Sequence, residues 1–187
     1  MTAERVVGLL LSGGRGSRHG GADKGWVEYQ QRPLVEHALQ HLKVCERVII
    51  SANRNQARYA RLGVQVVSDQ RAGYQGPLSG IESAFAASDA EWLYVLPVDV
   101  LGMPDNWLEQ QQKAVAQSGL PWCGTLDAGR VQPLLGLWSR ELLTPLTAYL
   151  DRGERRVMRF VEPWADHVLR LPEGQCLCNL NSPESFV

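Results

Sequence analysis

The residues best placed to do chemistry stand in LSGGRGSRHGGADKG, Leu11 to Gly25, a stretch with six glycines, two arginines and a lysine. Ordering glycine costs more backbone entropy than ordering any other residue, so packed helices and strands do not use it this densely. Such a backbone suits close approach by a ligand, and its cations select an anion. A glycine-rich turn aims several backbone N–H groups at one point and forms an anion-binding nest. Arg18 adds a planar fork of donors, and Lys24 a mobile point charge. Two familiar phosphate cradles are not spelled out. Lys24 lies between Asp23 and Gly25, not in the Gly-Lys-Ser/Thr of a P-loop. Gly14, Gly16 and Gly20 are spaced one residue too widely for the dinucleotide fingerprint. The competing reading is a flexible surface turn, which the position directly after an apolar strand disfavours.

Asp99, in PVDV, is the second signal: a carboxylate where an apolar run, WLYVL, leaves the core. An oxygen ligand there suits Mg²⁺, which is usually held by one or two carboxylates plus phosphate and water. Its plain alternative is an N-cap or Asx-turn residue ahead of Met103 and Pro104. GERRVMRF, Gly153 to Phe160, sets Arg155, Arg156 and Arg159 against Glu154, either as a second anion contact or as a solvated helix face with an internal ion pair. His37 and His41 stand four apart on one helix, a metal pair only if a third ligand joins them. Cys45, Cys123, Cys176 and Cys178 show no CxxC spacing, so ordinary buried thiols are expected, with Cys176 and Cys178 on one face of a strand. No serine sits in a G-x-S-x-G setting.

Alternating strand and helix patterns must position these groups. Val6–Leu11, Arg47–Ser51, Val64–Ser68 and Trp92–Leu96 read as strands, the first and last apolar enough to be covered on both faces. Leu34–Leu42 (started by Pro33), Gln56–Leu62 and Leu78–Ala87 read as the helices between them. Further on, Trp107–Ser118 and Arg140–Leu150 read as helices, Trp122–Thr125 and Val131–Leu137 as strands around the turn DAGR, and Arg155–Val161 as a short helix. The expected fold is α/β: three layers around a mostly parallel sheet with right-handed crossovers and Rossmann-like topology. Ligands of such sheets sit outside the carboxyl ends of the strands, near the reversal of strand order. The glycine loop, SANRN, SDQ with Asp69, and Asp99 each follow a strand, so all four converge on one edge.

The bulk properties agree. With 187 residues and no Pro/Ser linker or repeat, one domain is expected, with a regular α/β half over about 1–100 and a less regular half over about 101–187. A net charge of −1 argues against a dedicated nucleic-acid binder. No apolar run reaches the ~18 residues of a membrane span, and VVGLLL is too short for a secretory core, so a cytoplasmic location is expected, with no membrane partner.

In this order, LSGGRGSRHGGADKG, VIISANR, SDQRAGYQGPLSGI, the PVDV aspartate, GERRV and NLNSPESF resemble the molybdenum cofactor guanylyltransferase family over nearly the whole chain. The first motif is shared with a wider class of nucleotidyltransferases, while GPLSGI, GERRV and NLNSP point to the molybdopterin branch. The resemblance implies a nucleotide-diphospho-sugar transferase type of fold, one nucleotidyltransferase domain with a nucleotide-binding half over about 1–100 and a pterin-side half over about 101–187. It also implies transfer of GMP from GTP to the terminal phosphate of molybdenum-molybdopterin, with release of pyrophosphate. It implies GTP contacts at Leu11, Ser12, Gly13, Gly14, Lys24, Ser51, Asn53, Asp69 and Asp99, with Arg18, Lys24 and Asp99 serving the reaction. Asp99 would hold Mg²⁺, or Mn²⁺, which suits the same oxygen ligands. Arg155, Arg156, Asn179 and Asn181 would meet molybdopterin. Proteins that deliver molybdopterin, and acceptor molybdoenzymes or their chaperones, are the implied protein partners. The chain departs from the family pattern with Ser51 before Ala-Asn-Arg, Ser12 before Gly-Gly, and His19 in the loop.

The acceptor phosphate needs no general base, because its second pKa near 6 leaves it largely dianionic at pH 7. The chemical task is to bring two anions together and neutralise charge at the α-phosphate, which suits the loop N–H groups, Arg18, Lys24 and a metal on Asp99. Two other readings stay open at this point. One is a different nucleotidyltransferase of this fold, cytidylylating molybdopterin or acting on a sugar phosphate. The other is a non-catalytic carrier of nucleotide or finished cofactor.

Overall fold

The computed structural model describes residues 5–12, 23–73 and 75–179. Its centre is β1 (Val6–Leu11), whose uninterrupted apolar run is buried from Val7 onward. On one side β1 pairs in parallel with β4 (Arg47–Ser51), which pairs in parallel with β5 (Gln65–Val67). On the other side it pairs in parallel with β6 (Trp92–Pro97). The chain thus leaves β1 in one direction and later returns to its opposite flank, which makes β1 the reversal point of the strand order. β6 continues antiparallel to β9 (Arg130–Ser139), which is antiparallel to β8 (Trp122–Asp127), and β8 is parallel to β10 (Leu169–Arg170). The seven-stranded order is β10-β8-β9-β6-β1-β4-β5, and the expected mostly parallel α/β sheet is present with β9 as its antiparallel member.

Alternation along each strand divides the apolar residues between two cores. Leu10, Ile50, Tyr94, Leu96 and Leu137 face one side, packed with Leu34, Val35, Ala38 and Leu42 of α1 (Leu34–Leu42) and Trp107 and Val115 of α4 (Trp107–Ser118). Tyr59 of α2 (Gln56–Ala60) joins that core. Leu9, Leu11, Ile49, Leu93, Val95 and Trp138 face the other side. They meet Leu78, Ile81 and Phe85 of α3 (Pro77–Ala86), Leu146 and Leu150 of α5 (Leu143–Asp151), and Phe160 of α6 (Val157–Val161). A strand covered on both faces cannot alternate apolar with polar, which is why β1 and β6 read as continuous hydrophobic runs.

The helices expected at Leu34–Leu42 and Trp107–Ser118 have those bounds, and α3 starts one residue early because Pro77 takes the first helical position. The helix expected from Arg140 opens as a 3-10 turn, Arg140–Leu142, before α5. β9 starts one residue before the expected Val131–Leu137 and ends two residues after it, at Ser139, because it pairs on both edges. Two small ribbons were not legible: β2 (Glu28–Tyr29) with β3 (Arg32–Pro33), and β7 (Val100–Leu101) with β11 (Cys178–Asn179).

One expectation is overturned. Cys45 and Cys123 are buried thiols, pushed by burial up to about 12 and about 11, but Cys176 and Cys178 are exposed. The reason is topological: CLC enters a peripheral two-residue ribbon against β7 rather than the main sheet, so it has only one neighbour. Gly102, at φ 87°, permits that crossing, since a Cβ there would stand 2.9 Å from the Cys176 carbonyl oxygen. Among the described residues no helix is long and apolar enough to cross a membrane.

Candidate active site

Parallel pairing puts the carboxyl ends of four strands in one row: Leu11 is in register with Ser51 and Pro97, and Ser51 with Val67. The exits are stitched by backbone hydrogen bonds. Ser12 N–H donates to the Ser51 carbonyl (2.9 Å), Ala52 N–H to Val67 (2.9 Å) and Val98 N–H to Leu11 (3.1 Å). Polar residues one or two places further on therefore leave the sheet side by side, as the sequence pattern predicts.

At the β1–β6 exit the Lys24 ammonium donates to Asp99 Oδ2 at 2.5 Å, both side chains about one-fifth exposed. The two residues are 75 positions apart and meet only through the sheet. Lys24 opens a single 3-10 turn, Lys24–Trp26, for which Asp23 is the N-cap. At the β4–β5 exit Asn53 and Asp69 bond reciprocally: Asn53 Nδ2–H donates to Asp69 Oδ2 (2.8 Å), and Asp69 N–H donates to Asn53 Oδ1 (2.8 Å). Burial raises the Asp69 carboxyl above the usual range, helped by the charge of Glu82, while the Asn53 amide opposes the shift. Asn53, Asp69, Arg71 and Gly73 line an open depression of about 240 Å³.

Ser51 is 2% exposed, and a Cβ on Gly80 of α3 would approach its Oγ to 2.6 Å. The hydroxyl thus lies beneath the start of α3, and the groups Ser51 shows to the row of strand ends are backbone. Leu11 is buried and closes β1. Gly13, Gly14, Arg18 and Asn181 lie outside the described residues.

The second half of the chain reaches the same edge by two routes. In the β7–β11 ribbon the Asn179 backbone is opposite Val100, the residue after Asp99. Arg155 donates through Nε to Gln75 Oε1 (2.5 Å) and through Nη1 to the Leu150 carbonyl (2.7 Å), tying the GERRV segment to the loop that precedes α3. Arg156 is exposed as the N-cap residue of α6, and its carbonyl accepts from the Tyr149 hydroxyl (3.0 Å). The internal ion pair anticipated in GERRVMRF is Arg159 with Glu154 (2.9 Å).

His37 and His41 do not join a larger ligand set: His37 Nε2 lies 2.8 Å from the Tyr29 carbonyl oxygen, and no group of three His, Cys, Asp or Glu among the described residues could cage a metal. Asp99 by itself offers hard oxygen donors, a carboxylate that would hold Mg²⁺ together with phosphate and water.

Sequence reasoning missed two groups of residues. The first is Asp23, Tyr59 and Asn55: the Tyr59 hydroxyl donates to Asp23 Oδ1 (2.6 Å) and lies 2.6 Å from Ser12 Oγ, while Asn55 Nδ2–H donates to Asp23 Oδ2 (2.9 Å). The second is Arg71 with Glu82. Arg71 grips the buried Glu82 carboxylate through Nε (2.7 Å) and Nη2 (2.8 Å) and reaches Asp151 through Nη1 (2.7 Å). Thr147 Oγ1–H adds a fourth bond, to Glu82 Oε1 (2.8 Å). The one local hint was Asp23 beside Lys24; Tyr59 and Glu82 read as ordinary helix positions.

Comparison with known proteins agrees with this architecture. Residues 8–168 match the MobA-like NTP transferase domain. A molybdenum cofactor guanylyltransferase of Shewanella halifaxensis is 38% identical over 98% of this chain and 92% of its own. Among solved structures, molybdopterin-guanine dinucleotide biosynthesis protein A of Archaeoglobus fulgidus superposes with a TM-score of 0.74 at 19% identity, covering 96% of this chain and 94% of that one. CTP:phosphocholine cytidylyltransferase of Streptococcus pneumoniae superposes with a TM-score of 0.68 at 16% identity, over 97% and 96% of the two chains, so the fold is shared with nucleotidyltransferases of other substrates. On its match and its identity to full-length relatives, the chain belongs to the molybdenum cofactor guanylyltransferase family of MobA-like NTP transferases.

Proposed function

We propose that this chain transfers GMP from GTP to the terminal phosphate of molybdenum-molybdopterin, forming the molybdopterin guanine dinucleotide cofactor and pyrophosphate. Family membership supports the reading, and the observation that carries it is the Lys24–Asp99 contact at 2.5 Å on the shared edge of four parallel strands. A cation for phosphate and a carboxylate for metal are thereby set side by side where such sheets bind ligands.

An acceptor phosphate oxygen attacks the α-phosphorus of GTP. The new P–O bond forms as the bond to the β-phosphate bridging oxygen breaks, and that oxygen leaves on pyrophosphate. The dianionic acceptor carries no proton that must be removed, so these residues work by alignment and charge neutralisation. Lys24 and Arg18 meet phosphate oxygens, and Leu11, Ser12, Gly13 and Gly14 shape the cradle. Asp99 would hold Mg²⁺ or Mn²⁺, which would supply neutralisation of the triphosphate charge. The paired Asn53 and Asp69, which follow β4 and β5, lie one and two strands beyond β1 on the side away from β6 and take the nucleoside end, with Ser51 as floor. Asp69 is the acceptor suited to guanine N1–H and its 2-amino group. Asn179, Asn181, Arg155 and Arg156 receive the pterin side. The reaction takes place in the cytoplasm, with molybdopterin-delivering proteins and acceptor molybdoenzymes or their chaperones as partners.

The test is incubation with molybdenum-molybdopterin and GTP, CTP, ATP or UTP in turn, with Mg²⁺ or EDTA, reading pyrophosphate and the mass of the product. The expected result is a guanine dinucleotide from GTP alone, abolished by EDTA. A cytosine product would replace the base assignment, and GTP binding without pyrophosphate release would favour the carrier reading.

A further inference from the structure

Ser12 and Asp23 stand eleven positions apart, at the entry and exit of the glycine-rich stretch, and both meet one atom of a residue from another element. Tyr59 is 0% exposed on α2. Its hydroxyl has one proton, given to Asp23 Oδ1 at 2.6 Å, so Ser12 Oγ–H is the donor in the 2.6 Å contact between Ser12 and Tyr59. Asp23 Oδ1 also accepts from Gly25 N–H (3.2 Å), which closes the 3-10 turn that carries Lys24. Asn55, held at φ 51°, ties the other Asp23 oxygen to the start of α2. Trp26 completes the anchor, 5.0 Å from the Tyr59 ring and covered by the Arg58 guanidinium at 3.8 Å. The packing admits no side chain at position 25, where a Cβ would overlap the Tyr59 hydroxyl and stand 2.7 Å from Ser12 Oγ.

We propose that Tyr59 is a positioning residue for the triphosphate lysine: by holding Ser12 and Asp23 on one hydroxyl, it sets the turn from which Lys24 reaches Asp99. This deepens the guanylyltransferase reading and rests on it. Burial keeps the Tyr59 phenol protonated, its pKa raised well above the usual range, so it donates to Asp23 throughout the working pH range. Tyr59 touches no reacting group; it acts through Lys24.

The decisive variant is Tyr59→Phe, which keeps the ring in the core and removes only the hydroxyl. Expected is a rise of about tenfold in KM for GTP, the size of one or two lost hydrogen bonds, with kcat within twofold and KM for the pterin acceptor unchanged. A merely structural role would lower the melting temperature and leave the GTP KM unmoved, or move both KM values together; either result overturns the proposal. Asp23→Asn retains an acceptor oxygen for Tyr59 and Gly25, so its GTP KM should lie clearly below that of Asp23→Ala. Equal values for those two variants would also overturn it. Wild-type protein inactive with GTP would refute the guanylyltransferase reading; an active wild type with an unaltered Tyr59→Phe would refute only the role of Tyr59.

Discussion

Replacing Arg71 by Met should cost this fold about 2–4 kcal/mol at pH 7, and the size follows from what is left behind. Glu82 is 7% exposed, and its carboxylate accepts two bonds from Arg71 and one from Thr147. Met retains most of the aliphatic packing but strands a carboxylate with a single hydroxyl partner. Removing one member of a buried ion pair costs about 3–5 kcal/mol, and Arg71's own partial exposure places this pair toward the lower end. For a chain of this size that corresponds to a fall in melting temperature of roughly 2–4 °C per kcal/mol, or a urea midpoint lower by about 1–2 M. The pH dependence checks the cause. Arg71, the dominant influence, holds Glu82 below the usual carboxylate range, so its contribution is complete above the unfolded value near 4.5 and is lost as pH falls through the lower folded value. The gap between wild type and variant should therefore narrow as pH drops below about 4.5. Urea titrations at pH 7.5 and pH 4 measure it. The double variant Arg71→Met, Glu82→Leu should recover most of the loss, because no charge is then stranded. A single variant within about 0.5 kcal/mol of wild type, or a double variant no better than the single, would refute the reasoning.

The other predictions concern the site. Asp99→Ala should fold, keep measurable GTP affinity in calorimetry and lose at least a hundredfold in turnover; near-normal turnover would remove Asp99 from the metal role. Gly25→Ala should lose about 1–3 kcal/mol in thermal unfolding, since its methyl group must displace Tyr59 or Ser12. An unchanged melting temperature would show that the turn can relax. Asp69→Asn should weaken GTP binding in calorimetry while stability at pH 7 is unchanged or higher. The sign follows from the raised Asp69 pKa: folding disfavours its ionised form, so neutralising it relieves a cost that is present once pH exceeds the unfolded value near 3.8. Lower stability with intact binding would reverse the assignment.

The sequence by itself determined the parallel centre of this protein and the edge where its chemistry gathers. Continuous apolar runs such as WLYVL can be buried only between two layers, and residues that follow parallel strands must leave at one end of a sheet. Lys24, Asn53, Asp69 and Asp99 were therefore legible as neighbours before any distance was known. The tertiary structure decided their pairings: Lys24 with Asp99, Asn53 with Asp69, and Ser51 turned beneath α3. It also decided that Tyr59 spends its hydroxyl on Ser12 and Asp23, that Arg71 grips Glu82, and that Cys176 and Cys178 lie outside the core. Periodicity reports which face of an element is buried, a property of local spacing. Which polar atom meets which across 36, 47 or 75 positions depends on register, crossover direction and helix docking. Those are settled only when the whole sheet closes around its two cores.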